Sequence, residues 1–302
     1  MPYTASPEIK TIVVATDLSQ TSAAALHYAR LLASVYGARV ILAHVIDPVS
    51  YANLSDVPRQ VLEEMTDAAR EEMDRLADEF LSAGIPSNSE VRQGVVTHLL
   101  LQVIEQYKAD LVILGTRGAK GIGPVVVGTV AEQLVRLAPC PVMAVAADVV
   151  STSEAELTGG EILVPIESDA AAGKAISVAQ SLAKHIHGGI ILVHARTQAE
   201  ALAKTDPCAA TAASVNAAQG TAGVPVRCLV KDGTPADVIA SVAAEYRVSM
   251  IVVPVKRESR SKSAHGTAYE VITRARTPVF FIPPAVAVAA DPAPPEGMVV
   301  RC

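Results

Sequence analysis

Short apolar segments alternate along the chain with longer segments whose apolar positions recur at helical spacing. Residues 11–16 (TIVVAT) are β-branched and unbroken, which predicts a strand buried on both faces. Residues 19–37 have helical spacing, with Ser and Thr at the expected cap and Gly at the end. Residues 39–45 (RVILAHV) predict a second strand. The alternation is typical of βαβ units around a parallel sheet, so the predicted fold class is α/β.

The same order of elements recurs in the second half of the chain. Four landmarks have counterparts in the same order: Asp17 with Glu167, His44 with His194, Gly94 with Gly233, and Gly128-Thr129 with Gly266-Thr267. The offset is 150 residues for the first two pairs and falls to 139 for the third. An ordered set of matches indicates an internal duplication, with a deletion in the second copy between its second and third strands.

The duplication divides the chain into two domains, predicted over residues 8–147 and 160–284. A total of 302 residues suits two domains of ordinary size. The polar stretch 148–160 is interpreted as a linker, and residues 285–302 as a Pro-rich tail that we expect to be disordered. Between the second and third strands, the first copy has a charged helix predicted over 58–82. The second copy, which carries the deletion, has an Ala-rich segment over 199–223.

Composition argues against several classes of partner. The chain has three Phe, seven Tyr and no Trp, which is too few aromatic faces for a single-strand stacking platform. Its net charge of -6 gives no general attraction to a phosphate backbone, so we expect no nucleic-acid partner.

The cysteines and the apolar runs bear on the cellular setting. The four cysteines show no C-x-x-C pairing, so reduced thiols are expected, with disulfide or zinc interpretations weaker: Cys140, Cys208, Cys228 and Cys302. The first residues are polar, and no apolar run approaches the ~20 residues of a membrane span. We therefore expect a soluble, cytoplasmic protein with no membrane partner.

A glycine-rich segment follows the apolar run that ends at Leu114. Its glycines lie at positions 115, 118, 121 and 123, and Gly128-Thr129 then opens a helix predicted over 130–137. Glycines let backbone approach a ligand closely, and a helix N-terminus presents free N–H groups to an anion. Thr129 can add a hydroxyl donor or help to hold a phosphate-bound metal ion, and Arg117 and Lys120 add positive charge. The segment predicts a phosphate-binding loop beyond the carboxyl ends of the strands.

Residue types alone leave an alternative open. The segment matches neither G-x-x-x-x-G-K-[ST] nor a G-x-G-x-x-G placed directly after the first strand. Glycines that only build a tight, mobile loop would give the same composition.

The arrangement resembles the ATP-binding pattern of universal stress proteins. The residues that carry the likeness are Thr16-Asp17 after the first strand, HVID over 44–47, Gly115-x2-Gly118-x9-Gly128-Thr129, and VAEQLVRLAPCPVMAV over 130–145. It covers nearly all of residues 8–147 and, more weakly, 160–284. It implies two Rossmann-like (adenine nucleotide alpha hydrolase-like) domains, each a five-stranded parallel sheet with helices on both faces.

The resemblance also implies ATP as the ligand, and Mg²⁺ would be the metal ion that Thr129 could help to hold. Asp17 would lie beside the adenosine, although an Asp there can also simply cap the next helix. Val45 would meet the adenine through its backbone. The glycine loop would surround ribose and phosphates, and the start of the following helix would bind the phosphate tail. The candidate site residues are Ala15, Thr16, Asp17, Val45, Leu114, Gly115, Arg117, Gly118, Gly128, Thr129 and Val130.

The second half departs from this pattern. Pro254 stands where Gly115 stands, and the backbone path is expected to be hard to repeat because Pro fixes φ and lacks an N–H. Arg257 or Glu258 replaces Gly118, depending on a one-residue gap. Four basic residues give this segment positive charge: Lys256, Arg257, Arg260 and Lys262. Either the site is degenerate and kept for packing, or it binds an anion through side chains. We expect about one ATP per chain.

No catalytic machinery is evident. The seven histidines are scattered, without an H-E-x-x-H motif or a nucleophile elbow. His44 and His194 lie at strand ends, either near the site or simply packed. The leading hypothesis is a nucleotide-dependent stress-response module, and the rivals are a scaffold that binds no nucleotide and a slow ATPase. The resemblance further implies that the last strands, 142–145 and 279–282, pair across subunits or between the two halves.

Overall fold

The computed structural model describes residues 8–48, 59–116, 128–149, 153–166, 172–196, 223–255 and 267–283. The strands are β1 (Thr11–Ala15), β2 (Arg39–Ile46), β3 (Ser87–Gln93), β4 (Leu111–Gly115), β5 (Val142–Val145), β6 (Glu161–Pro165), β7 (Gly189–Arg196), β8 (Val226–Asp232), β9 (Met250–Pro254) and β10 (Val279–Ile282). The helices are α1 (Ala23–Tyr36), α2 (Arg59–Ser82), α3 (Val96–Gln106), α4 (Thr129–Leu137), α5 (Glu154–Leu157), α6 (Ala172–His185), α7 (Pro235–Tyr246) and α8 (Thr267–Arg274).

Within the described residues the strands form one ten-stranded sheet, in the order β3-β2-β1-β4-β5-β10-β9-β6-β7-β8. Each half contributes five strands that run parallel to one another, and the order in the second half mirrors the order in the first. The predicted α/β fold is confirmed.

Helices cover both faces of the sheet. Successive side chains of a strand point to opposite faces, and in these strands the side chains on both faces are apolar and need cover. In β1, Ile12 and Val14 belong to one buried cluster with α1, α2 and α6, whereas Val13 belongs to a second cluster with α3, α4, α7 and α8. Both clusters draw residues from both halves. The unbroken apolar strands read from the sequence are therefore buried between two layers of helices.

The two halves meet through their last strands. β5 and β10 pair antiparallel, with Ala144 opposite Val279 and Met143 opposite Phe280. The expected pairing of these strands occurs here between the halves of one chain. Because the pairing of β5 with β10 joins the edge strands of the two halves, each half covers an edge of the other. Without it, backbone groups at both edges would be left unpaired.

Element boundaries follow the sequence closely, with one local correction. Helix α1 ends at Gly37, which is left-handed with φ 63° as the C-cap prediction requires. Its start differs, because a 3-10 turn over Gln20–Ser22 precedes it and Ser22 makes no side-chain cap. The Ser22 hydroxyl instead donates to the Ser19 carbonyl at 2.7 Å. The charged helix is present as α2, whereas most of segment 199–223 and all of 285–302 lie outside the described residues.

The stretch interpreted as a polar linker is partly built into the core. Helix α5 begins at a capping box in which the Ser153 hydroxyl accepts from the Glu156 N–H and the Glu156 side chain accepts from the Ser153 N–H. Leu157 is completely buried, and Val149 is nearly so. The polar composition of residues 148–160 gave no indication that Val149 and Leu157 would be buried. One or two apolar side chains are enough to anchor a short connection.

The expectation of reduced cysteines is wrong for one of the described thiols. Cys140 is free and buried. Cys228, on β8, is disulfide-bonded, and its partner lies outside the described residues. Sequence spacing could not show this pairing, since a disulfide depends on how close two Cα atoms come in the folded chain.

Candidate functional site

The carboxyl ends of β1, β2 and β4 lie side by side at one edge of the sheet. Ala15 is opposite Ala43 on one side and Leu114 on the other. The chain moves outward from β1 through β2 to β3, then returns to β4 on the opposite side of β1. Ligands of open parallel sheets bind at such a reversal of strand order. The structure brings the predicted residues Ala15, Val45 and Gly115 to this edge.

The exit of β1 is held by a network of hydroxyl groups. The Thr16 hydroxyl accepts from the Leu18 N–H at 3.1 Å and lies 2.9 Å from the Ser22 hydroxyl. Leu18 is left-handed with φ 59°, an uncommon conformation for a residue other than glycine. The sharp turn places Asp17 at the solvent-exposed rim of the site.

The Asp17 carboxylate is engaged locally. Its Oδ1 atom accepts from the Ser19 N–H at 3.1 Å and from the Ser19 hydroxyl at 2.6 Å. These bonds support the alternative interpretation in which Asp17 stabilises the turn before the helix. They also hold the carboxylate in place at the end of β1.

His44 joins β2 to the β1 exit. Its Nδ1 atom lies 2.9 Å from the Thr16 carbonyl oxygen. The second half repeats this contact, since His194 Nδ1 lies 3.1 Å from the Ile166 carbonyl oxygen. Since a carbonyl oxygen only accepts, Nδ1 carries the proton in both histidines. Sequence reasoning placed both at strand ends without finding this bond.

Helix α4 starts close to the end of β4. The Gly128 N–H donates to the Thr116 carbonyl at 2.8 Å, and Gly128 is the N-cap of α4 with no side-chain cap. A Cβ at Gly128 would lie 3.4 Å from that carbonyl oxygen. Thr129 is exposed at the first turn. The N-terminal N–H groups of α4 and its positive dipole end thus adjoin the strand edge, which suits an anion.

Thr116 is a residue that sequence reasoning missed. It is 2% exposed, and its Oγ1 atom has no hydrogen-bond partner among the described residues. Its position directly after Gly115, where an apolar strand gives way to the glycine loop, was the available signal. Of the predicted loop residues, Arg117 and Gly118 lie outside the described residues.

The second half reproduces the backbone path for longer than expected. The Val255 N–H donates to the Ile282 carbonyl at 2.8 Å, as the Thr116 N–H donates to the Val145 carbonyl at 2.9 Å. The backbone path, which Pro254 was expected to make hard to repeat, is therefore repeated as far as Val255. A final strand position tolerates Pro, because extended backbone accommodates its φ. The basic loop that follows lies outside the described residues.

The two halves differ instead in the strands beside the site. β1 pairs with β4 from Ile12 through Ala15, whereas β6 pairs with β9 only at Ile162 and Leu163. Pro165 occupies the position of Ala15, and Pro254 that of Gly115. Each Pro lacks an N–H, so the edge of the second half has fewer backbone donors.

Two further observations concern the described part of the chain. It contains no group of three or more His, Cys, Asp or Glu residues able to hold a metal ion. None of its helices is both long and apolar enough to cross a bilayer.

Comparison with known proteins agrees with the fold. The model of the universal stress protein family matches residues 8–146 and again 160–283. A universal stress protein of Methanocaldococcus jannaschii, MJ0531, is 30% identical over 141 residues, covering 45% of this chain and 81% of that protein. A crystal structure of a universal stress protein from Archaeoglobus fulgidus superimposes with a TM-score of 0.73 at 21% identity, covering 90% of this chain and 96% of that one.

A universal stress protein crystallised in complex with cAMP matches 48% of this chain and 99% of its own, with 23% identity and a TM-score of 0.36. The bound cAMP is a property of that protein. The two matched segments and the mirrored five-stranded halves lead to one conclusion. This chain belongs to the universal stress protein family.

Proposed function

We propose that the first half binds ATP and that the chain acts as a nucleotide-dependent stress-response module. The observation that carries this proposal is the bond from the Gly128 N–H to the Thr116 carbonyl, 2.8 Å long. It anchors the uncapped N-terminus of α4 beside the reversal of strand order. Backbone donors, a dipole end and a strand edge thereby meet in one place, as phosphate recognition requires.

The residues at this edge fit the parts of a nucleotide. Asp17 and the backbone of Val45 would contact the adenosine, and Gly115 with Gly118 would enclose ribose and phosphates. The phosphate tail would lie on the first turn of α4, at Thr129 and Val130. The half-buried Val45 suits the face and edge of a base, and the exposed Asp17 carboxylate suits a hydroxylated sugar. A magnesium ion would accompany the phosphates, with the Thr129 hydroxyl as a candidate ligand.

The proposal assigns one nucleotide to each chain. In the second half, prolines stand at the positions of Ala15 and Gly115, and the pairing of β6 with β9 stops after Leu163. Fewer backbone donors at that edge weaken any equivalent site. The second half would then serve mainly as a structural partner through β5 and β10.

Isothermal titration of the full chain with ATP tests the proposal. Wild type should bind about one ATP, and Gly128→Arg should abolish the heat because the new side chain fills the phosphate region. Gly173→Arg is the matched control, since Gly173 is exposed and a Cβ there meets nothing within 4 Å. Absence of heat with wild type would overturn the binding proposal in favour of a scaffold, and two equivalent sites would overturn the single-site assignment.

A further inference from the structure

We infer that His44 is a positioning residue that keeps the Val45 backbone available to the nucleotide. This inference rests on the proposed function. His44 immediately precedes Val45, and its partner Thr16 immediately precedes Asp17. The bond between them, 2.9 Å long, therefore links the two elements proposed to contact the adenosine.

The hydrogen bonds of β2 show which way its backbone groups point. The Arg39 N–H donates to the Lys10 carbonyl, and the Ala43 carbonyl accepts from the Thr16 N–H, so alternate residues of β2 face β1. The Val40 N–H donates to the Pro86 carbonyl on the opposite side. Val45 shares the parity of Arg39 and Ala43. Its N–H and carbonyl therefore face the side of β1, beyond the point where β1 ends.

A regular parallel ladder would use the Val45 N–H at this point. After the Thr16 N–H has donated to the Ala43 carbonyl, the next bond would run from the Val45 N–H to the Thr16 carbonyl. No such backbone bond occurs among the described residues. The Thr16 carbonyl accepts from the His44 imidazole instead. The side chain thus satisfies the acceptor and leaves the Val45 N–H unused by the ladder, available to an adenine ring nitrogen.

The second half supplies an internal control for this arrangement. The Ile166 N–H donates to the Val193 carbonyl at 2.9 Å, and His194 Nδ1 lies 3.1 Å from the Ile166 carbonyl oxygen. The same local structure therefore occurs where the proposal assigns no nucleotide. A purely structural role predicts equal consequences for the two histidines, whereas a positioning role makes only His44 matter for affinity.

Matched variants separate these roles. His44→Phe and His194→Phe keep a ring of similar size and remove the donor. Asn places its Nδ2 atom as many bonds from the backbone as Nδ1, so His44→Asn restores a donor. Affinities for ATP and for adenosine are measured by titration of the full chain, and folding is checked by circular dichroism.

We expect His44→Phe to weaken adenosine and ATP binding by the same factor, about fivefold, which is the size of one hydrogen bond. His194→Phe should leave both affinities unchanged, and His44→Asn should restore them to within about twofold. Equal affinities in wild type and His44→Phe, or equal losses in both Phe variants, would overturn the inference while leaving ATP binding intact.

Two other results of these experiments would also decide the question. If wild type binds neither ligand, the proposed function fails and the inference fails with it. If His44→Phe does not fold, His44→Asn decides alone: near-wild-type affinity supports the inference, and a loss of more than about fivefold overturns it.

Discussion

The backbone N–H of Gly128 donates to the carbonyl of Thr116, with 2.8 Å between nitrogen and oxygen, although eleven residues separate the two along the chain. The Thr116 backbone holds this junction on both sides, because its own N–H donates to the Val145 carbonyl at 2.9 Å. The Thr116 side chain, by contrast, is buried, and its hydroxyl has no hydrogen-bond partner among the described residues. The backbone and the side chain of Thr116 therefore make separate contributions to the stability of the fold.

Replacing Thr116 with Val tests the cost of that hydroxyl. A buried polar group without a partner destabilises a fold by about 1–3 kcal/mol, so Thr116→Val should unfold at equal or higher urea concentration in the absence of nucleotide. Urea denaturation followed by circular dichroism measures the change. A loss of more than about 1 kcal/mol would show that the hydroxyl is hydrogen-bonded in solution.

The pairing of Met143 with Phe280 across the seam predicts that the two halves depend on each other. Phe280 is fully buried, and truncation to Ala should cost about 3–5 kcal/mol. Because the buried clusters combine residues of both halves, hydrogen exchange should accelerate in β1 as well as in β6. Leu137→Ala, at a residue 59% exposed, is the control and should cost less than about 0.5 kcal/mol. Faster exchange confined to the second half would contradict the shared core.

The buried Leu157 predicts that the connection between the halves contributes to stability. Leu157→Ala should lower the free energy of unfolding by about 2–5 kcal/mol, as expected for a core leucine. Leu81→Ala is the matched control, since Leu81 is 51% exposed. Thermal unfolding of the two variants measures the difference. Equal melting temperatures would show that the stretch acts as a simple linker after all.

Cys140 should resist alkylation in the folded protein. Burial, with a smaller contribution from the Asp110 carboxylate, raises the pKa of the Cys140 thiol to about 12. At pH 8.5 the folded thiol stays protonated, whereas an unfolded cysteine, with a pKa near 8.5, is about half ionised. Iodoacetamide should therefore label Cys140 in guanidinium and leave it unlabelled under native conditions, as peptide mass spectrometry can measure.

The same shift fixes the sign of a pH dependence. Unfolding exposes a thiol that ionises more readily, so its contribution to stability is present below about pH 8.5 and declines towards pH 12. Cys140→Ala should flatten that decline in urea melts recorded from pH 8 to 10. An unchanged slope in the variant would assign the decline to other groups.

The sequence by itself determined the elements and their duplication. Short, mainly apolar runs suit strands that are covered on both faces, which is why residues 11–16 and 39–45 predicted β1 and β2 so closely. Gly37 marked the end of α1, since few other residues adopt its left-handed backbone. The glycine spacing predicts a loop before α4, because residue type decides how freely the backbone can turn.

The tertiary structure decided what depends on neighbours distant along the chain. The bond between His44 and Thr16, the burial of Leu157 and the disulfide at Cys228 each require groups that only the folded sheet brings together. The antiparallel seam of β5 and β10 shows that the two last strands meet within one chain. A strand edge has no sequence signal for its partner, because backbone hydrogen bonds are the same for every residue type except proline.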